Sequence, residues 1–188
     1  MSVANTRKTI IYLATDMVRE RGFNAFSFQD ISKLVGIKTA SIHYHFPTKT
    51  DLVLAIIASQ SEEIDLLIEE VKDQSPLQRL DAFFSIYEDL SHHQHVCMVG
   101  SLCTDLHTLD AAVAPALKAF TGKVLDWLTA TLQDGKTQGT FSFAATPAQE
   151  ALILVTNMMA SLQLGRLHGG DTYHTIKDTI IKSIKTSK

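Results

Sequence analysis

The stretch "GIKTASIHYHFPTKTDL", residues 36–52, crowds hydrogen-bond donors into a short space. Thr39, Ser41, His43, Tyr44, His45 and Lys49 bring hydroxyls, imidazoles, a phenol and an ammonium, with few apolar residues between them. Such groups reach phosphate oxygens and base edges. A segment this short cannot make a core, so it reads as a surface built to touch something outside the chain. Two nearby histidines also raise metal binding. Residues two apart on a helix lie about 200° round from each other, so His43 and His45 diverge and cannot hold one ion.

A second stretch, "SHHQHVCMVGSLC" at 91–103, sets His92, His93 and His95 just ahead of Cys97. A helix N-terminus or a protonated imidazole biases a thiol toward thiolate. The plain alternative is that Cys97 and Cys103 are small buried hydrophobes. A metal site from His92, His93, His95 and Cys97 lacks a paired ligand spacing. Two cysteines are too few for a disulfide framework and read as free thiols in a reducing compartment. Catalytic motifs are absent: no phosphate loop, no GxSxG, no HExxH. Asp105 and His107, two apart on a helix, diverge from any shared thiol site. No catalytic residue, metal ligand or cofactor is expected.

Charge separates the chain into two parts. Residues 1–50 hold seven Lys or Arg against three acids, while the remainder holds ten bases against seventeen acids. A basic head on an acidic body suits a polyanion such as DNA. The 45% hydrophobic and 20% charged content is that of a soluble protein. No apolar run approaches the ~18–20 residues needed to span a bilayer, and no signal segment opens the chain. A cytoplasmic protein with no membrane partner is expected.

The punctuation is helical. Ser27 with Asp30, Thr48 with Asp51, Ser75 with Gln78 and Thr146 with Gln149 each have capping-box spacing. Pro76 and Pro147 then fall at the first helical position. Helices are expected at about 28–35, 39–45, 49–72, 76–93, 98–108, 113–135, 147–167 and 172–186, after a first one closed by Gly22. Strand signal is confined to "GTFSFAA" at 139–145, too short for a sheet. The fold class is all-α with about nine helices.

Within the head, "SFQDISKLVGIKTASIHYHF" has helix-turn-helix grammar. Ile31, Leu34 and Val35 are expected to face inward, and Ser32 is small enough for a close helix crossing. Gly36 permits positive φ at the turn, and Ile37 plugs that turn into the core. Ile42 and Phe46 anchor the second helix, leaving Thr39, Ala40, Ser41, His43, Tyr44 and His45 to read a groove.

Residues 7–54 resemble the DNA-binding domain of the TetR family of bacterial one-component regulators. The matching segments are "RERGFNAFSFQDIS" and "GIKTASIHYHFPTKTDL", the run His45-Phe46-Pro47-Thr48-Lys49 followed by Leu52 being the most specific. The resemblance implies that Lys49, Tyr44, His45 and Thr39 contact DNA. Ser27, Lys38, Ser41 and His43 complete the expected contact set. The family commonly has Tyr where His43 stands and a small capping residue where Lys38 stands, so Lys38 is expected to add a contact of its own. Residues 1–47 are thus expected to form a three-helix DNA-binding domain, and 48–188 a larger helical domain that binds an effector and dimerises.

The likeness continues loosely through the body and implies a small-molecule effector, dimerisation through the last two helices, and repression of a palindromic operator. "ALILVTNMMASLQLG" at 151–165 is apolar nearly all round, so one face should meet its own core and another something else. Ala160 and Gly165 would allow a close helix approach, and Ile176, Ile180 and Ile184 stripe the last helix. These five are the expected homodimer interface, with a merely internal helix pair as the alternative. Phe83, Tyr87, Cys97, Leu102, Phe120, Trp127 and Met158 are the expected effector pocket, since aromatic and Met side chains line ligand sites. The "CMVGSLCTDL" core also resembles a branch of the family with electrophile-sensing repressors, which makes a cysteine sensor of the same fold the alternative function. A helical enzyme without DNA binding ranks last.

Overall fold

The computed structural model describes residues 3–169 and 171–186. Nine α-helices occur among them: α1 Val3–Arg21, α2 Phe28–Val35, α3 Thr39–His45, α4 Lys49–Val71, α5 Pro76–His92, α6 Met98–Thr104, α7 Val113–Thr137, α8 Pro147–His168 and α9 Thr172–Ile184. Two single-turn 3-10 helices, Phe23–Ala25 and Leu106–Thr108, flank α1 and α6. The expected long helix at 98–108 therefore stops at Thr104 and tightens into the second of these turns. The "GTFSFAA" stretch forms no strand and makes one isolated bridge, Phe141 with Lys185.

All four capping boxes form. Ser27 accepts from the Asp30 amide while Asp30 accepts from the Ser27 amide, and Ser75/Gln78 and Thr146/Gln149 repeat the exchange. At α4 the Thr48 amide donates to Asp51 Oδ2 at 2.9 Å and the Asp51 amide donates back to Thr48 Oγ1 at 3.1 Å. Each box answers helix-end donors with neighbours only three residues away, which is why such starts are readable from local sequence.

The chain groups into two compact units that are not continuous in sequence: 1–63 with 98–120, and 64–97 with 121–188. In the first unit Ile10, Ala14, Val18, Ile31, Ile42, Phe46, Leu52, Ile56 and Leu102 form one core. Gly36, at φ 74, ends α2 in the left-handed region, and its amide and that of Ile37 both donate to the Ser32 carbonyl. Ile31 and Ser32 are buried there, but Leu34 is 60% exposed and does not face inward. Leu34 lies two positions after Ser32, about 200° round this two-turn helix, so Ser32 packing inward turns Leu34 outward.

In the second unit Leu80, Phe83, Phe84, Leu128, Leu132, Leu154, Met158 and Tyr173 are buried. The Tyr173 hydroxyl donates to the Phe84 carbonyl at 2.7 Å, which ties α9 to α5 and answers a polar atom that burial would leave costly. Burial raises the Tyr173 phenol's pKa well above its ordinary value, with Glu88 and Asp81 adding to the rise.

Candidate nucleic-acid interface

The second helix of the motif, α3, is held by Ile42 and Phe46, both buried, and closed where the Phe46 amide donates to the Ile42 carbonyl at 2.8 Å. Its other side is open. Tyr44 is 77% exposed, and Lys38, Ser41 and His43 are exposed with it. The Tyr44 and His45 rings meet edge to face at 5.3 Å, which limits the directions the phenol can take.

Several of the expected contacts, exposed His43 among them, also have partners within the chain. His43 sits edge-on against Phe28, centroids 4.9 Å apart, with Nδ1 at 3.3 Å from the Pro47 carbonyl. The Thr39 hydroxyl donates to Ser32 Oγ at 3.2 Å, and Ser32 Oγ donates to the Gln29 carbonyl at 2.9 Å. Ser27 spends its hydroxyl on Asp30, donating at 2.7 Å. Those hydrogen bonds hold the Asp30 carboxyl below its usual pKa, Lys33 and Arg21 adding to them and desolvation opposing.

Lys49 opens α4 and turns its ammonium inward. Nζ donates to the carbonyls of Phe23 and Phe26 at 2.6 and 2.7 Å and lies over both rings, 4.1 and 4.3 Å from their centroids. Partial burial lowers its pKa, against the pull of Asp105 and Asp30. Lysine has three donors, so two are used and one remains for an outside acceptor.

The turn that Lys49 holds is also held by a segment distant in sequence. Asp105 accepts from the Phe23 amide and from Asn24 Nδ2, both at 3.0 Å, and Asn24 also donates to Thr108 at 2.8 Å. Ser101 donates to the Val18 carbonyl at 2.7 Å. An open cleft of about 430 Å³ lies among Arg21, Gly22, Asn24, Ala25, Ser101, Thr104 and Asp105. Nothing local in the sequence marks these partners, because they pair across more than eighty positions.

The expected effector residues do not gather as one set. Phe83, Tyr87, Trp127 and Met158 are buried in the second unit, whereas Leu102 and Phe120 pack into the core of the first. Cys97 is half-buried immediately before α6, and Cys103 is exposed. The expected dimer residues divide too. Ala160 is exposed and Gly165 and Ile176 are half-buried, but Ile180 and Ile184 turn into their own chain's core. Ile153, Leu164 and Leu167 are exposed instead, the last at 75%. With Ala160 they make one stripe on α8 at spacings of seven, four and three.

A two-helix motif seated on a third helix, with one short helix presenting polar groups to solvent, defines a helix-turn-helix DNA-binding protein. Residues 10–56 match the model for bacterial regulatory proteins of the TetR family, and 76–177 match the tetracyclin repressor-like C-terminal domain. The chain belongs to the TetR family of transcriptional regulators. It is similar to the HTH-type transcriptional repressor KstR2 of Mycolicibacterium smegmatis, 26% identical over 98 residues, 51% of this chain and 48% of that protein. KstR2 of Mycobacterium tuberculosis is 29% identical over 94 residues, 48% of this chain and 47% of that one. The chain thus spans about half the length of the curated relatives it matches. A TetR-family regulator from Agrobacterium tumefaciens superposes with a TM-score of 0.91 at 29% identity, covering 98% of this chain and all of that one. A TetR regulator from Legionella pneumophila gives 0.87 at 28% identity with the same coverage.

Proposed function

We propose that this protein is a ligand-responsive repressor that binds a palindromic operator as a homodimer in the cytoplasm and is released by a small molecule. The observation that carries the reading is the divided α3: Ile42 and Phe46 are sunk in a core while Lys38, Ser41, His43 and Tyr44 face solvent on a basic head. Residues 1–47 serve as the DNA-binding domain and 48–188 as the effector and dimerisation domain. The α8 stripe of Ile153, Ala160, Leu164 and Leu167 supports the dimer, since exposed apolar stripes at this spacing pack against a second helix. Release follows if the effector favours an arrangement in which paired recognition helices no longer fit successive grooves, ~34–36 Å apart. α4 and α7 each run without a break from one unit into the other, and either is a continuous element along which such a change would travel.

Selection of duplexes from a random library, followed by titration at low and high salt, tests this. The enriched sequence should be an inverted repeat, and affinity should fall steeply with salt. Tyr44→Ala should lose affinity without losing thermal stability, because the ring is mostly in solvent. No enrichment, or equal binding by Tyr44→Ala, rejects the reading.

A second reading is favoured by one contact. Tyr87 is buried beside Cys97, and its phenol is held well above its ordinary pKa chiefly by burial, with the neighbouring Cys97 adding to the rise. A protonated phenol beside Cys97 would feel any adduct there, making thiol modification a second route to release. Treatment with a soft electrophile, adduct mapping and operator titration test it. An adduct on Cys97 that leaves affinity unchanged rules it out.

A further inference from the structure

The open cleft of about 430 Å³ lies wholly within the first unit, and Gly22 brings no side chain to it. A side chain starting at Gly22 would have Asp105 Oδ2 at 3.5 Å and Ser101 Oγ at 3.9 Å. Apart from the glycine's chain neighbours, nothing else would come within 4 Å of it. Two oxygens thus border one place that glycine leaves open. Ser101 is only 8% exposed, so its oxygen belongs to a folded wall and not to the general surface.

That wall has already used its side-chain hydrogens. Ser101 donates to the Val18 carbonyl at 2.7 Å, and Thr104 to the Gly100 carbonyl at 3.0 Å. Asn24 Nδ2 gives one hydrogen to Asp105 Oδ1 at 3.0 Å and one to Thr108 at 2.8 Å. Carbonyl and carboxylate oxygens only accept, so these directions are fixed. Ser101 Oγ, Thr104 Oγ1 and Asn24 Oδ1 are left offering lone pairs. Asp105, with one bond to each oxygen, can accept further. An occupant must therefore donate.

Charge narrows the choice. Arg21, the one cationic side chain on the wall, is held by Glu20 at 2.9 Å. Asp105 makes no ion pair among the described residues, and its partners are a backbone amide and a carboxamide, both neutral. Lys49, whose charge acts on it, is turned to the Phe23 and Phe26 carbonyls. An unpaired carboxylate favours a cationic donor over a neutral one.

We propose that this cleft binds the head of a primary organic ammonium, seated beside Gly22 between Asp105 and Ser101. An ammonium has three N–H donors, enough for both oxygens and one more of the wall. The site stands apart from the effector reading, since every residue it uses lies in the unit that carries the helix-turn-helix.

Full-length, isotope-labelled protein is titrated by NMR with n-butylamine, trimethylbutylammonium and n-butanol at constant ionic strength. The three share a tail: the first donates and is charged, the second is charged without an N–H, and the third donates without charge. The expected result is saturable shifts of the Phe23 amide and the Asn24 carboxamide with butylamine, and none with the other two. Both groups bond directly to Asp105, so they report on the carboxylate itself. Thr104 is exposed and spends its hydroxyl on its own helix, so Thr104→Lys should fold as the parent does. Its tethered ammonium should weaken the butylamine response by about tenfold, as competition for one charged hydrogen bond would. Asp105→Asn should abolish the response, and if that variant does not fold, Thr104→Lys decides alone. Equal shifts with trimethylbutylammonium would mean diffuse attraction only and would overturn the proposal. So would shifts that do not saturate, or a Thr104→Lys protein that responds as the parent does.

Discussion

Lys49 and Asp105 grip opposite ends of one residue: the ammonium donates to the Phe23 carbonyl at 2.6 Å, and the carboxylate accepts from the Phe23 amide at 3.0 Å. The turn between α1 and α2 is thereby fixed by the start of α4 and by the segment after α6, all within the first unit. Gly22, at φ 88, opens that turn in a region that side chains avoid and glycine adopts freely.

Lys49→Met keeps most of the apolar stem over the two Phe rings and removes the donor. The Phe23 and Phe26 carbonyls then lose their partner, and stability should fall by about 1–3 kcal/mol. DNA affinity should fall as well, with a shallower salt dependence if the third N–H reaches a phosphate. Urea melts and a salt titration on the same variant separate the two effects. A variant as stable as the parent would show that the two carbonyls find other partners.

The α8 stripe makes an assembly prediction. Leu164→Arg should leave the fold intact and convert dimer to monomer in sedimentation, since Leu164 is exposed on its own chain. Ile184→Arg should instead unfold the second unit, because Ile184 is almost wholly buried there. A Leu164→Arg protein that sediments as a dimer would place the interface on another surface.

Gly135 is closed to any side chain. A methyl built there would overlap the ring of Phe141, which is buried and whose amide donates back to the Gly135 carbonyl at 3.1 Å. Gly135→Ala must displace that ring and should cost about 1–3 kcal/mol despite alanine's better helix propensity. A thermal melt at or above the parent's would contradict the close packing.

A pH dependence follows from His174, whose ring pairs with Asp171 and, at 3.4 Å, with Glu88. The hydrogen bond to Asp171 raises the His174 pKa, and the bond from His174, with Lys177 nearby, lowers that of Glu88. A raised imidazole stabilises fully below its unfolded value of about 6.5 and loses that contribution as pH climbs through the folded value. The lowered Glu88 carboxyl works in reverse, stabilising above about 4.5 and losing it as pH falls. The cluster is half exposed, so the effect should be at most about 1 kcal/mol. His174→Gln should lower the melting temperature at pH 6 and leave it nearly unchanged at pH 9. Equal loss at both would mean that the ring acts through packing alone.

The helix starts and the helix-turn-helix were legible in the amino-acid sequence because the interactions that form them are short. A cap needs a partner three residues away, and the Gly36 turn needs one residue free to take positive φ. The split of α3 into a buried and an open side followed from Ile42 and Phe46 at four-residue spacing. Faces were harder where one helix meets several neighbours. α8 is apolar nearly all round, so its sequence could not say that Leu154, Met158 and Leu162 go inward while Ile153, Leu164 and Leu167 stay out. Ile180 and Ile184 read as an interface stripe because a stripe shows only that something covers it, and here its own core does. Lys49 read as an outward cation, and only the arrival of the Phe23 and Phe26 carbonyls from across the chain turned it inward. Asp105, Asn24 and Ser101 carried no local signal, since their partners depend on which helices the tertiary structure brings alongside.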